Sequence, residues 1–379
     1  MSGEAAPFQE KSFSDTPVLT VYREDSKIGF FDGRKEINSS TFSREMVPDC
    51  GCLLASGQHV LLGGEAAIVQ CIPVVDDHLE TTKGCSLELG MDDVSCMAPI
   101  PHSNPPAAVV GDDSGDLFRV SLSTAGVLSS EELPLPHTSG LASLVVMSCE
   151  PTETAMLITA SYDCAVQAQL LPIGDEASAP GEPTPVWTAK VEALPPLDIT
   201  DAAGRPMQSA GGVGSNPPFP HCAVELPGRR VALGCGDGTV RILSALDGQT
   251  LSLCVGVHTA GVACMDTVLG VDGGLLLLTG GLDGRVAAWR IEDDLQTAQA
   301  QEGQDDGAVD VLTSKDVAWV SRLPTDAITG RRWNANSVSA RAEATESGAE
   351  QVLVSVAVAR EAPEHAGHVV VYTLEVYNA

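Results

Sequence analysis

Apolar residues come along this chain in short paired runs, each pair divided by a tight polar turn. The pairs begin with VLTVYREDSKIGFFDG (from Val18), HVLLGGEAAIVQCIPV (from His59) and AAVVGDDSGDLFRVSL (from Ala107). MLITASYDCAVQAQLL (from Met156), RVALGCGDGTVRILSA (from Arg230) and LLLLTGGLDGRVAAWRI (from Leu275) follow. QVLVSVAVAREAPEHAGHVVVYTL, from Gln351, is the last. Each predicts a strand of about four to six residues, a turn rich in Gly, Asp or Glu, and a second strand. The runs are nearly continuous in apolar residues, which predicts sheets covered on both faces. Helical periodicity is hard to find. Several units lie about forty to fifty residues apart, the period of four-stranded propeller blades. Seven units therefore predict an all-β, seven-bladed β-propeller that forms a single domain over residues 1–379.

Three stretches interrupt the period. Residues 173–216 are rich in Pro, Gly and Ser, and predict a loop insertion with one strand near Val186 to Lys190. Residues 292–312 form an acidic insertion: Glu292, Asp293, Asp294, Glu302, Asp305, Asp306 and Asp310 face no basic residue in the same stretch. Such a run is a solvated loop or an electrostatic landing site for a Lys/Arg-rich partner. Residues 334–350 predict a further polar insertion.

Composition narrows the function classes. The net charge of -30 repels phosphate backbones and anionic lipid, so nucleic acid and membrane are not expected partners. It favours basic segments of other proteins, or serves solubility alone. The N-terminal MSGEAAPFQEKSFSD has neither a basic nor an apolar signal region, and no apolar run approaches a membrane span. The eleven cysteines sit mostly alone in apolar segments, as Cys71, Cys235, Cys254 and Cys264 do, and read as reduced, buried small hydrophobes. A cytoplasmic or nuclear protein is expected.

Candidate chemistry is sparse. Gly234-Cys235-Gly236-Asp237-Gly238 looks like a nucleotide loop, but its third glycine is misplaced and a β-branched TVRIL follows, so a hairpin turn is expected. His59, His137, His221 and His258 are spread one per loop, which does not suit a metal site. His365 and His368, beside Glu361 and Glu364, lack a matching further ligand elsewhere. No cofactor is expected, and no catalytic motif is present.

The sixth unit resembles a WD40 repeat: His258 before the first strand, Thr279 on the second, Asp283 at the turn and Trp289 six residues later. That resemblance implies a structural staple in which indole, hydroxyl, imidazole and carboxylate are linked in series. The fourth unit keeps His137, Thr159 and Asp163 with Gln169 in place of the tryptophan. The fifth offers His221 and Asp237, with Leu233 and Leu243 at the hydroxyl and indole positions. DDSGDLFRVSL, NPPFPHCAVELPGRRVALGCGDGTVRI and VHTAGVACMDTVLGVDGGLLLLTGGLDGRVAAW are similar to the WD repeat-containing protein 53 subfamily. The resemblance implies a non-catalytic interaction scaffold. One form is a substrate receptor docked on the cullin-4 ubiquitin-ligase adaptor, and another is a structural subunit or assembly factor of a large complex. The docking box Trp-Asp-x-Arg of such receptors reads here Trp289-Arg290-Ile291-Glu292.

Overall fold

The computed structural model describes residues 18–22, 27–32, 35–41, 48–54, 57–75, 78–90, 92–134, 137–149, 154–173, 185–194, 217–269, 274–291, 309–313, 317–323, 334–344, 350–359 and 368–374. They form seven sheets in chain order. The first holds β1 (Val18–Tyr22), β2 (Lys27–Asp32) and β3 (Lys35–Thr41). The second holds β4 (Pro48–Leu53), β5 (His59–Gly64), β6 (Ile68–Val75), β7 (His78–Leu79) and β8 (Cys85–Glu88). In the third are β9 (Val94–Pro99), β10 (Ala107–Asp112), β11 (Leu117–Leu122) and β12 (Leu128–Leu133). The fourth comprises β13 (Leu141–Ser148), β14 (Thr154–Ser161), β15 (Ala165–Pro172) and β16 (Trp187–Lys190). β17 (Pro220–Leu226), β18 (Arg230–Cys235), β19 (Val240–Ser244) and β20 (Thr250–Cys254) make the fifth. β21 (Val262–Leu269), β22 (Leu275–Gly281) and β23 (Arg285–Ile291) begin the sixth. Between these and the rest of the sixth sheet, β24 (Asp310–Leu312) joins the edge of the fifth, and β25 (Val317–Arg322) then completes the sixth. The seventh holds β26 (Asn334–Ala344), β27 (Glu350–Ala359) and β28 (His368–Leu374).

Sheets follow one another through their first strands: β1 lies against β4, then β4 against β9, and so on through β13, β17, β21 and β26. The second strands are therefore walled on both sides. β10, β18 and β22 are buried at every position, which is why their sequences run apolar without alternating. Outer strands show the opposite: β12 is exposed over Ser129–Glu132, and β25 alternates. The core is accordingly split into slabs between neighbouring sheets, one of them packing Val145, Ile158 and Val166 of the fourth sheet on Val231, Leu233 and Leu243 of the fifth.

Four first strands carry a buried or half-buried thiol at one repeat position, Cys50, Cys96, Cys222 and Cys264, opposite Gly63, Gly111, Gly234 and Gly280. The glycines are needed, because a Cβ on Gly280 would lie 2.6 Å from both the Cys264 Sγ and the Ala335 Cβ. Burial pushes the Cys96 and Cys264 thiols up to about 12, as expected for packing groups.

Three insertions can be compared with the sequence. The strand expected near Val186 to Lys190 forms as β16. The acidic insertion ends in a strand: β24 pairs parallel to β20, with Ser252 opposite Asp310 and Cys254 opposite Leu312. Residues 334–344, expected as polar insertion, form β26, the longest strand among the described residues. A bulge between Ala335 and Ser337 breaks the alternation, and small Ala and Ser residues lower the hydrophobicity, so the strand reads as polar. Residues 174–184, 195–216, 292–308 and 345–349 of the insertions lie outside the described residues.

Candidate functional site

The sixth sheet assembles the staple in full. Trp289 Nε1 lies 3.2 Å from Thr279 Oγ1, His258 Nε2 lies 2.8 Å from that oxygen, and His258 Nδ1 lies 3.3 Å from Asp283 Oδ1. An indole N–H can only donate and a carboxylate only accept, so the chain has one direction. Trp289 donates to Thr279, Thr279 to His258 Nε2, and His258 Nδ1–H to Asp283. The other Asp283 oxygen accepts from the Thr259 N–H at 2.8 Å, and Oδ1 also takes the Arg285 N–H at 3.1 Å. Burial tends to raise this carboxyl. The His258 hydrogen bond, with the two backbone N–H groups, outweighs it and holds Asp283 at about 2. Thr279 and Trp289 are fully enclosed.

In the fourth sheet the chain is shorter. His137 bridges Thr159 Oγ1 at 2.8 Å and Asp163 Oδ2 at 3.3 Å. Gln169 stands opposite Leu157 just as Trp289 stands opposite Leu277, and is buried.

The fifth sheet departs from expectation. Asp237 bonds its own turn, accepting the Thr239 hydroxyl at 2.6 Å and its N–H at 3.1 Å, and approaches the Arg241 guanidinium at 3.9 Å. His221 is not its partner. Pro220 pairs Cys235 as Val262 pairs Gly281, so the place of His258 falls at Asn216, outside the described residues, while His221 sits in a bulge of β17. With Leu233 at the hydroxyl position, a buried ion pair stands where the other two sheets have the staple.

His221 instead joins an aromatic group. The Tyr162, Phe219 and His221 rings meet edge to face, with centroids 6.1 Å (Tyr162–Phe219), 6.1 Å (Tyr162–His221) and 5.8 Å (Phe219–His221) apart. Sequence reading missed this group, together with Arg241 and Trp187. The available signal is positional: Phe219 occupies the place of Gly140 and Gly261 ahead of the first strand. Of the acidic insertion, Glu292, Asp293, Asp294, Glu302, Asp305 and Asp306 lie outside the described residues, and Asp310 opens β24. No group of three or more His, Cys, Asp or Glu able to hold a metal occurs among the described residues. No helix there is long and apolar enough to cross a membrane.

Solved structures share this architecture. The WD40 β-propeller domain of Doa1 is 12% identical over 94% of this chain and 89% of that one, with a TM-score of 0.52. The fold is a WD40-type β-propeller. U3-55K is 13% identical over 93% and 87% of the two chains (TM-score 0.57). BBS1N, solved in complex with ARL6DN, is 13% identical over 96% and 88% (TM-score 0.55). No protein-family model matches the chain, and no curated protein matches it.

Proposed function

We propose that this chain is a non-catalytic protein–protein interaction scaffold. The observation that carries the reading is how the polar groups are used. His258, Thr279 and Asp283, and likewise His137, Thr159 and Asp163, are tied side chain to side chain inside separate sheets, where they fix turns. The turns so fixed present side chains to solvent, Tyr162 at 44% and Leu282 at 41% exposure, on a frame of mutually buried sheets. A rigid frame lowers the ordering cost of binding, which is the advantage of displaying recognition residues on it.

Two narrower forms are open to one experiment. A cullin-4 receptor rests on the subfamily resemblance, with Arg290 and Glu292 at the two positions where the docking box has Asp and Arg. A structural subunit or assembly factor needs no such box. Tagged full-length chain is purified from its own cells under native conditions and sized with its partners. A stoichiometric complex supports the scaffold. Cullin-4 and its adaptor within that complex select the receptor, and one large particle without them selects the subunit. A chain that elutes alone at every salt concentration contradicts the scaffold.

A further inference from the structure

We propose that Tyr162, Phe219 and His221 form the docking point for an arginine side chain of a partner protein, with the Asp113 carboxylate as its counter-charge. This rests on the scaffold reading and names the chemistry of the partner.

The rings stand where the repeat asks for almost nothing. Register places Phe219 with Gly140 and Gly261, immediately before the first strand. It places His221 at the bulge position held by Ser95, Ala142 and Ala263. Small residues at these two positions close the other sheets, so folding needs no aromatic at either, and the Tyr162 position carries Asp113, Gly236 and Leu282 in its neighbours. Nor do the rings merely fill a gap. Tyr162 keeps 44% of its surface exposed in a chain where aromatics are only 4% of residues. Room for them is made by backbone without side chains. A Cβ on Gly236 would lie 3.0 Å from His221 Nε2 and 3.2 Å from the Phe219 ring, and one on Gly261 would lie 3.1 Å from His221 Nε2.

Charge identifies the occupant. Tyr162 and Asp113 hold the same turn position in adjacent sheets, and Asp113 lies near enough for its charge to act, after burial, on the Tyr162 hydroxyl. Asp113 is exposed, and its carboxyl is raised above the ordinary range by partial desolvation and by the crowding charges of Asp93, Asp112 and Asp92. Asp112 is spent on its turn, accepting from the N–H groups of Ser114, Gly115 and Asp116 and from the Ser114 hydroxyl. An aromatic surface edged by crowded carboxylates attracts a cation. Burial holds the His221 imidazole below its usual range, so it adds a ring and no competing positive charge near neutral pH. Guanidinium fits better than ammonium, because its plane stacks on a ring while its N–H fork meets a carboxylate.

The test uses full-length protein and fluorescence anisotropy with a short labelled arginine peptide and its lysine and citrulline analogues. Arginine is expected to bind about tenfold tighter than citrulline and tighter than lysine. Tyr162→Ala and Asp113→Asn should each weaken it about five- to tenfold, with Tyr162→Phe recovering most of the first loss. Neutralising Glu131 on the exposed outer strand β12 should leave it unchanged. Thermal unfolding run alongside separates lost binding from lost folding, and Asp113→Asn, on an exposed turn, carries the test if Tyr162→Ala fails to fold. Equal binding of arginine and citrulline, preference for lysine, or an equal effect of Glu131→Gln overturns the proposal. A native complex that survives both site variants overturns it too and leaves the scaffold standing, whereas a wild-type chain with no partner overturns the scaffold itself.

Discussion

Thr279 is the residue on which the sixth-sheet staple turns, since its one hydroxyl accepts from Trp289 and donates to His258. Thr279→Val keeps the shape and leaves two buried polar groups unpaired, at an expected cost of about 2–4 kcal/mol in urea unfolding. Thr159→Val removes the His137 bond and a long 3.5 Å bond to the Gln167 carbonyl but no indole bond, so its cost should be about 1–2 kcal/mol. Equal costs would mean that the indole bond contributes nothing. Acid should act on the molecule in two steps. His59, His137 and His221 are all lowered from 6.5 by burial, so the unfolded chain binds protons first and stability falls as pH drops below about 6.5. Asp283, held at about 2 against an ordinary 3.8, adds a second loss between those values. Urea midpoints across this range check both steps, and Asp283→Asn should flatten the lower one. The staples are legible in the sequence because His, Thr and Asp recur in the same order around two hairpins, with Thr four residues before Asp in both. His221 misleads because it is the histidine nearest the fifth hairpin, while strand register points to Asn216.

Elements built on repeating apolar runs can be read directly, and those made by context cannot. β16 shows as the run near Val186 to Lys190 within a Pro/Gly/Ser-rich stretch, although the part its tryptophan plays does not. That ring donates from Nε1 to the Ala245 carbonyl at 2.8 Å and packs over Gly248, where a Cβ would fall 2.5 Å from the ring. Trp187→Ala should therefore cost about 3–5 kcal/mol, measured by denaturant unfolding, and a cost under about 1 kcal/mol would detach β16 from the stability of the fourth and fifth sheets. β26 is hidden because its partner supplies the hydrophobicity: Val352, Val354 and Val356 of β27 are fully buried, while β26 contributes Ala335 and Val338. Gly280→Ala would push into Ala335 across this junction, and a loss of about 1–3 kcal/mol is expected. β24 carries only Asp-Val-Leu and pairs with the neighbouring sheet rather than its own, which no local pattern announces.

At the scale of the molecule, each hairpin unit read in the sequence becomes two adjacent strands of one sheet among the described residues. Net charge is equally legible and has a physical consequence. A chain of charge -30 repels itself, so moderate salt should raise its melting temperature, and a fall would show that local ion pairs outweigh the repulsion. The partner's chemistry is not legible, since it depends on which turns lie side by side. The central claim, a rigid frame that binds through its turns, is tested most directly by amide hydrogen exchange on the chain alone and in its native complex. The account predicts new protection at the turns carrying Asp113, Tyr162 and Leu282 and at Phe219, with the strands unchanged. Protection confined to outer strands such as β12, or none at these turns, would contradict it.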